Sequence, residues 1–178
     1  MKKICILGAS GSIGKQTLDV LSHNKNDFEL VAFSVGTKTR IINNILKIFP
    51  TVKSICIKEE KHAKTYAKLY PNIKFYFGDD GLEQLILDNE IDTVVNALVG
   101  FVGLKPTLTA LNKNLTVALA NKEALVVGGE LVNDIISLGK GKIFPIDSEH
   151  SAIHKCLAVD SNNVDKVYLT ASGGAFRD

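Results

Sequence analysis

The chain has 178 residues, 46% of them hydrophobic and 22% charged, with a formal net charge of +2. This length holds one full domain, or one domain and the start of another, and can bury a core without disulfides or structural metal. So mild a charge, with lysines spread along the chain and mixed with acids as in Lys58-Glu59-Glu60-Lys61, excludes the clustered basic face of a nucleic-acid binder.

Short β-branched runs alternate with helical patterns. Ile4–Leu7 reads as a strand, followed by a helix near Ser12–Leu21, a strand at Leu30–Val35 and a helix around Thr39–Ile48. Ser54–Ile57, a helix near Lys61–Leu69, Ile73–Phe77 and a helix near Gly81–Leu87 come next. Thr93–Leu98, a helix after Pro106, Thr116–Ala120, a helix from Lys122 and Lys142–Ile146 complete the series. The alternation predicts an α/β fold: a Rossmann-like doubly wound parallel sheet with helices on both faces. After Ile146 the pattern changes to the polar cluster Asp147-Ser148-Glu149-His150-Ser151, a helical stretch through Leu157 and a strand over Val164–Thr170. The expected division is a nucleotide-binding domain over residues 1–146 and the beginning of a second, α+β domain over 147–178, the remainder of which lies outside this chain.

Cys5, Cys56 and Cys156 form no Cys-x-x-Cys pair, and Cys5 and Cys56 alternate with isoleucines as small core residues do. An odd, unpaired count suits a reducing compartment. The N-terminus reaches Gly8 too soon for a signal peptide, and no stretch approaches the roughly 18 apolar residues of a membrane span. A soluble, cytoplasmic protein without a membrane partner is expected.

Gly8-Ala9-Ser10-Gly11-Ser12-Ile13-Gly14 follows a strand and opens a helix, a G-x-x-G-x-x-G variant of the dinucleotide fingerprint. Gly8 permits the tight turn, Gly11 lets the backbone approach a pyrophosphate, and Gly14 lets helix and strand pack closely. Helix N-terminal amides and the Ser10 and Ser12 hydroxyls supply donors to the anion. An NAD site usually carries an acidic residue at the end of the second strand. Here that strand runs into Gly36-Thr37-Lys38-Thr39-Arg40, with two cations and no carboxylate, which suits the 2′-phosphate of NADP(H).

Three polar clusters follow strands and so fall at the sheet edge where open parallel sheets bind ligands. In Asn121-Lys122-Glu123 the lysine can hold a phosphate or polarise a carbonyl; equally, Asn121 can cap a helix with Glu123 facing its dipole. In Asp147-Ser148-Glu149 the two carboxylates can hold a hard divalent cation through oxygen, or the segment can cap the next helix. His150 and His154, four apart, read as surface or supporting residues rather than zinc ligands. Ser172-Gly173-Gly174 can cradle an oxyanion or form a plain turn.

Together, Ile6–Gly14, Leu119–Val126, Pro145–Ile153 and Leu169–Arg177 resemble the 1-deoxy-D-xylulose 5-phosphate reductoisomerase family, in order and over the whole chain. The resemblance implies an oxidoreductase and isomerase of the non-mevalonate isoprenoid pathway. It uses NADPH and Mg²⁺ or Mn²⁺, takes a sugar phosphate as substrate and works as a homodimer when full-length. It assigns Gly8, Ser10, Gly11, Ser12 and Ile13 to the cofactor phosphates. Gly36, Thr37 and Lys38 go to the adenosine ribose phosphate, Thr37 and Lys38 matching by position rather than identity. Asn121 and Glu123 go to the nicotinamide side, Lys122, Ser148 and Ser172 to the substrate, and Asp147 and Glu149 to the metal, with Glu149 also at the reacting centre. The family continues well past residue 178 with a third metal carboxylate and further phosphate contacts, so these residues alone are expected to bind NADPH without turnover. The competing readings are another NADP-dependent Rossmann oxidoreductase of semialdehyde or homoserine type, and a stand-alone nucleotide-binding module.

Overall fold

The structure, a computed structural model, describes residues 1–159 and 164–168. The elements are β1 (Lys2–Leu7), α1 (Ser12–His23), β2 (Phe28–Val35), α2 (Ile41–Ile48), β3 (Ser54–Ile57), α3 (Glu60–Leu69), β4 (Lys74–Phe77) and α4 (Gly78–Leu87). They continue with β5 (Thr93–Asn96), a 3₁₀ turn (Phe101–Gly103), α5 (Leu104–Asn112), β6 (Thr116–Leu119), α6 (Lys122–Ser137), β7 (Lys142–Pro145) and α7 (Ser148–Val159). The seven strands form one sheet in the order β4-β3-β2-β1-β5-β6-β7, every pairing parallel.

Parallel strands covered on both faces read as near-continuous apolar runs because neither side meets water. β3, Ser-Ile-Cys-Ile, is buried at all four positions, and β2 is buried from Leu30 to Val35. Alternate side chains feed two cores. Cys5, Val31, Val94 and Val117 pack with Leu85, Ala110 and Val132 of α4, α5 and α6. Ile6, Phe33 and Ile55 pack on the other face with Leu21, Ile42 and Ala63 of α1, α2 and α3. Burial raises the thiol pKa of Cys5 and pushes that of Cys56 up to about 12, so both stay protonated core residues. The edge strand β7 instead exposes Lys142 and Phe144 while half-burying Ile143 and Pro145.

Two local differences from the sequence reading have simple causes. α5 begins at Leu104, two residues before Pro106, because a proline anywhere in the first turn lacks only an N–H that has no helical partner. α6 bends at Gly128 (φ −120°), where a Cβ would lie 2.3 Å from Leu104 Cδ1, so the glycine lets α6 close onto α5.

One expectation is corrected. Of the predicted strand Val164–Thr170, residues 164–168 belong to no strand, and Val164, Val167 and Tyr168 are all exposed. The β-branched pattern is present, but among the described residues no neighbouring strand offers these backbone groups a ladder, and a strand without partners does not persist. The rest of that run, and Ser172-Gly173-Gly174 after it, lie outside the described residues.

Candidate functional site

The strand order reverses between β2 and β5, on either side of β1, and the crevice at such a reversal is where open α/β sheets take their ligands. Gly8 stands at the carboxyl end of β1 with φ +85°, a conformation that disfavours any side chain. A Cβ there would lie 2.7 Å from the Ala97 carbonyl oxygen, and one on Gly14 only 2.3 Å from the Gly8 oxygen. Both glycines are therefore demanded by packing. Gly11 differs: a Cβ there would meet Gly8 O at 3.4 Å and little else, and the residue is exposed. The fold itself tolerates a side chain at Gly11, so the empty space lies on the side where a ligand would approach.

Gly11 is the N-cap of α1 and supplies no side-chain cap. Lys15 N–H is the first to close a helical bond, to Gly11 O at 3.0 Å. The amides of Ser12, Ile13 and Gly14 are thus the first-turn donors that a helix leaves unpaired, and an anion is their natural partner. The turn is held from below by Ser34: its hydroxyl accepts from Gly8 N–H at 2.9 Å and its carbonyl from Ala9 N–H at 2.8 Å.

Two clefts flank the turn. One, of about 380 Å³, runs between the start of α1 and the turn after β2 and includes Ser10, Thr37, Lys38, Thr39 and Arg40. The other, of about 280 Å³, is mostly apolar and includes Val35, Gly36, Cys56, Leu82, Leu98 and Val102. Gly36 lines the apolar cleft, and the next residue, Thr37, lines the cationic one.

The loop after β5 is fixed by two buried asparagines. Asn96 donates to Gly103 O and Thr107 Oγ1, both at 2.9 Å, and accepts from Leu98 N–H at 3.2 Å. Asn121 donates to Leu98 O at 2.9 Å and Gly100 O at 2.8 Å, while its Oδ1 caps α6 by accepting from Ala124 N–H at 3.0 Å. Of the two readings of Asn121, the cap is present, and its amide is spent inside the protein. Glu123 lies beside it, its Oε2 3.4 Å from Asn121 Nδ2. Ser34 and Asn96 were not singled out in the sequence. Each left one signal, a polar residue at a buried strand position directly after an apolar run.

Across the edge, Lys122 Nζ lies 3.6 Å from Glu149 Oε2, which also accepts from the Ser148 hydroxyl at 2.9 Å. The Glu149 carboxyl is held below its ordinary range, first by its own backbone N–H, then by Ser148 and the Lys122 charge. Asp147 precedes α7: its Oδ2 accepts from His150 N–H at 3.2 Å and its Oδ1 sits 2.8 Å from His150 Nδ1. His154 packs edge-on against Phe144 at 5.1 Å, away from that pair. The structure thus brings Lys122, Ser148 and Glu149 together, with Asp147 adjacent in sequence. Among the described residues no group of three or more His, Cys, Asp or Glu side chains could hold a metal. Asp147 and Glu149 are nonetheless hard oxygen donors whose present partners, an imidazole, a hydroxyl and an exposed ammonium, are exchangeable, so they fit a divalent cation as two of its ligands.

A glycine turn at the switch point of a seven-stranded, doubly wound parallel sheet defines a Rossmann-like α/β domain. The profile of 1-deoxy-D-xylulose 5-phosphate reductoisomerase matches residues 4–129, and that of the enzyme's C-terminal domain matches residues 143–178. The chain belongs to the 1-deoxy-D-xylulose 5-phosphate reductoisomerase family. The reductoisomerase of Clostridium novyi (strain NT) is 45% identical over 181 residues, covering 99% of this chain and 47% of the relative. A crystal structure of DOX-P reductoisomerase with NADPH, fosmidomycin and magnesium superposes with TM-score 0.82 at 34% identity, covering 92% of this chain and 41% of that one. The Zymomonas mobilis enzyme in complex with NADPH gives TM-score 0.80 at 31% identity, covering 87% and 41%. The chain spans about half the length of the curated relatives it matches. No helix among the described residues is long and apolar enough to cross a membrane.

Proposed function

We propose that the protein is an NADPH- and divalent-metal-dependent reductoisomerase converting 1-deoxy-D-xylulose 5-phosphate to 2-C-methyl-D-erythritol 4-phosphate in the non-mevalonate isoprenoid pathway. Residues 1–146 supply the dinucleotide domain and 147–178 open the substrate and metal domain. The full-length protein acts in the cytoplasm as a homodimer. The observation that carries this reading is the convergence on one sheet edge of the uncapped α1 amides and the Lys122–Glu149 pair, on a chain of this family.

Ser12 and Ile13 present their amides, and Ser10 its hydroxyl, to the dinucleotide pyrophosphate, which approaches where Gly11 leaves room. Thr37, Lys38 and Arg40 bind the 2′-phosphate in the cleft beside Gly36, and the apolar cleft toward Leu98 and Val102 takes the adenine ring. Asn121 holds the loop that forms the floor of the nicotinamide side, with Glu123 beside it. Lys122 and Ser148 bind the sugar phosphate, Lys122 exchanging Glu149 for the incoming anion, and Ser172 completes these contacts. Asp147 and Glu149 would hold Mg²⁺ or Mn²⁺, which when bound supplies Lewis-acid polarisation of a carbonyl. The nicotinamide when bound supplies a hydride, and a common sheet edge brings both chemistries within reach of one substrate. The chain by itself is proposed to bind NADPH without turning substrate over.

Replacing Glu149 by glutamine in the full-length protein tests the metal role. Turnover is expected to fall by at least about a thousandfold, on the scale of losing an essential electrostatic group, with NADPH affinity retained. Unchanged turnover removes Glu149 from the metal site, and failure of the unsubstituted protein to consume NADPH with deoxyxylulose phosphate and Mg²⁺ or Mn²⁺ removes the whole reading.

A further inference from the structure

The cleft of about 380 Å³ beside the glycine turn includes a cation that neither the turn nor the end of β2 contributes. Lys15 belongs to the first turn of α1, and its side chain lines the same space as Ser10, Thr37, Lys38, Thr39 and Arg40. Three cations therefore converge from two separate elements, α1 and the turn before α2, on a lining that contains no carboxylate. Among the described residues none of the three is in an ion pair, whereas Lys3, Lys64, Lys74, Lys105 and Lys122 all are. Like charges gathered in a small cleft repel one another, and a multivalent anion between them turns that repulsion into attraction. The hydroxyls of Ser10, Thr37 and Thr39 add neutral donors around the same space.

We propose that Lys15 is a specificity-determining residue, binding the 2′-phosphate of the dinucleotide from the α1 side, opposite Lys38 and Arg40. The inference rests on the dinucleotide reading above and adds to it a residue from a second element. A 2′-phosphate is the only group that NADPH carries and NADH lacks, and a phosphate monoester bears close to two negative charges near neutral pH. An ammonium facing that position acts on NADPH and is nearly indifferent to NADH. Because Lys15 is exposed, its attraction is screened, and its contribution falls as salt rises.

The test is a fluorescence titration of the 178-residue chain and its Lys15→Met and Lys15→Arg variants with NADPH and with NADH. Lys15→Met is expected to raise the Kd for NADPH about tenfold at low salt and to change that for NADH less than about twofold, as loss of one charge-assisted contact requires. Lys15→Arg, which keeps the charge, is expected to preserve most of the discrimination. Equal weakening toward both dinucleotides, or unchanged preference in Lys15→Met, overturns the role of Lys15 while leaving the dinucleotide reading intact. Failure of the unsubstituted chain to bind either dinucleotide overturns both.

Discussion

At the β1 turn the close contacts are backbone against backbone, Gly8 beneath the Ala97 carbonyl and Gly14 against Gly8 and Ala9, with two amides taken by the hydroxyl and the carbonyl of Ser34. Across the ends of β6 and β7, Lys122, Ser148 and Glu149 are held by one another, with Lys122 and Glu149 each about half exposed. The first region is shaped before any ligand arrives, because interiors at close-packed density yield little. The second consists of exposed charges whose mutual attraction is small in water, so they change partners at little cost. The proposed cofactor positioning and substrate capture would thus draw on different physical resources within one sheet edge.

The sharpest way to break this comparison is a pair of alanines in the turn. Gly14→Ala places a Cβ 2.3 Å from Gly8 O, and overpacking of this kind costs about 3 kcal/mol, a fall in Tm of roughly 10 °C. Gly11→Ala meets its nearest neighbour at 3.4 Å; its Tm is expected to stay within about 2 °C while NADPH binding weakens at least about tenfold, since the methyl occupies the pyrophosphate's approach. Thermal melts and titrations of the two variants separate packing from binding, and equal losses of Tm erase the distinction.

A second pair contrasts neighbours at the start of α6. Asn121→Ala removes the side-chain donor to the Leu98 and Gly100 carbonyls and the side-chain acceptor of the Ala124 amide, and is expected to cost about 2 kcal/mol in urea unfolding. Lys122→Ala, at an exposed position, is expected to stay within about 0.5 kcal/mol. The smallest effect is electrostatic. The Glu149 carboxyl titrates below its ordinary 4.5, so its interactions stabilise the fold above that pH and are lost as pH falls through the lower folded value. Comparing the urea midpoint of the unsubstituted chain with that of Glu149→Gln from pH 6 down to pH 3 is expected to show a slight difference that closes on the acid side. A difference that widens there would contradict the pairing.

All seven strands of the sheet were legible in sequence, because inner parallel strands write their burial as uninterrupted runs such as Ser54–Ile57 and Leu30–Val35. The glycine turn was legible because strand, turn and helix are adjacent in the chain. Ser34 was not, since its role depends on β1 lying beside β2, a fact of topology that no local pattern carries; Asn96 was not, since its partners Leu98, Gly103 and Thr107 come together only once the segment after β5 has turned. The approach of Lys122 to Glu149 likewise requires β6 beside β7. Val164–Thr170 shows the opposite failure: a local pattern strong enough to predict a strand, with no neighbour among the described residues to make it one.

The central position of β1 also has a consequence in time. Its Ile4 pairs on one side with Leu30 but on the other with Thr93 of β5, and Gly8 settles beneath Ala97, which follows that strand. At about 5–20 residues per second of synthesis, roughly 5–15 s separate the emergence of the turn from that of the strand that closes over it. During that interval one edge of β1 stands open, and a nascent chain arrested before β5 would display an apolar, unpaired strand to chaperones and to other chains. The glycine turn is thus translated well before the strand that completes it.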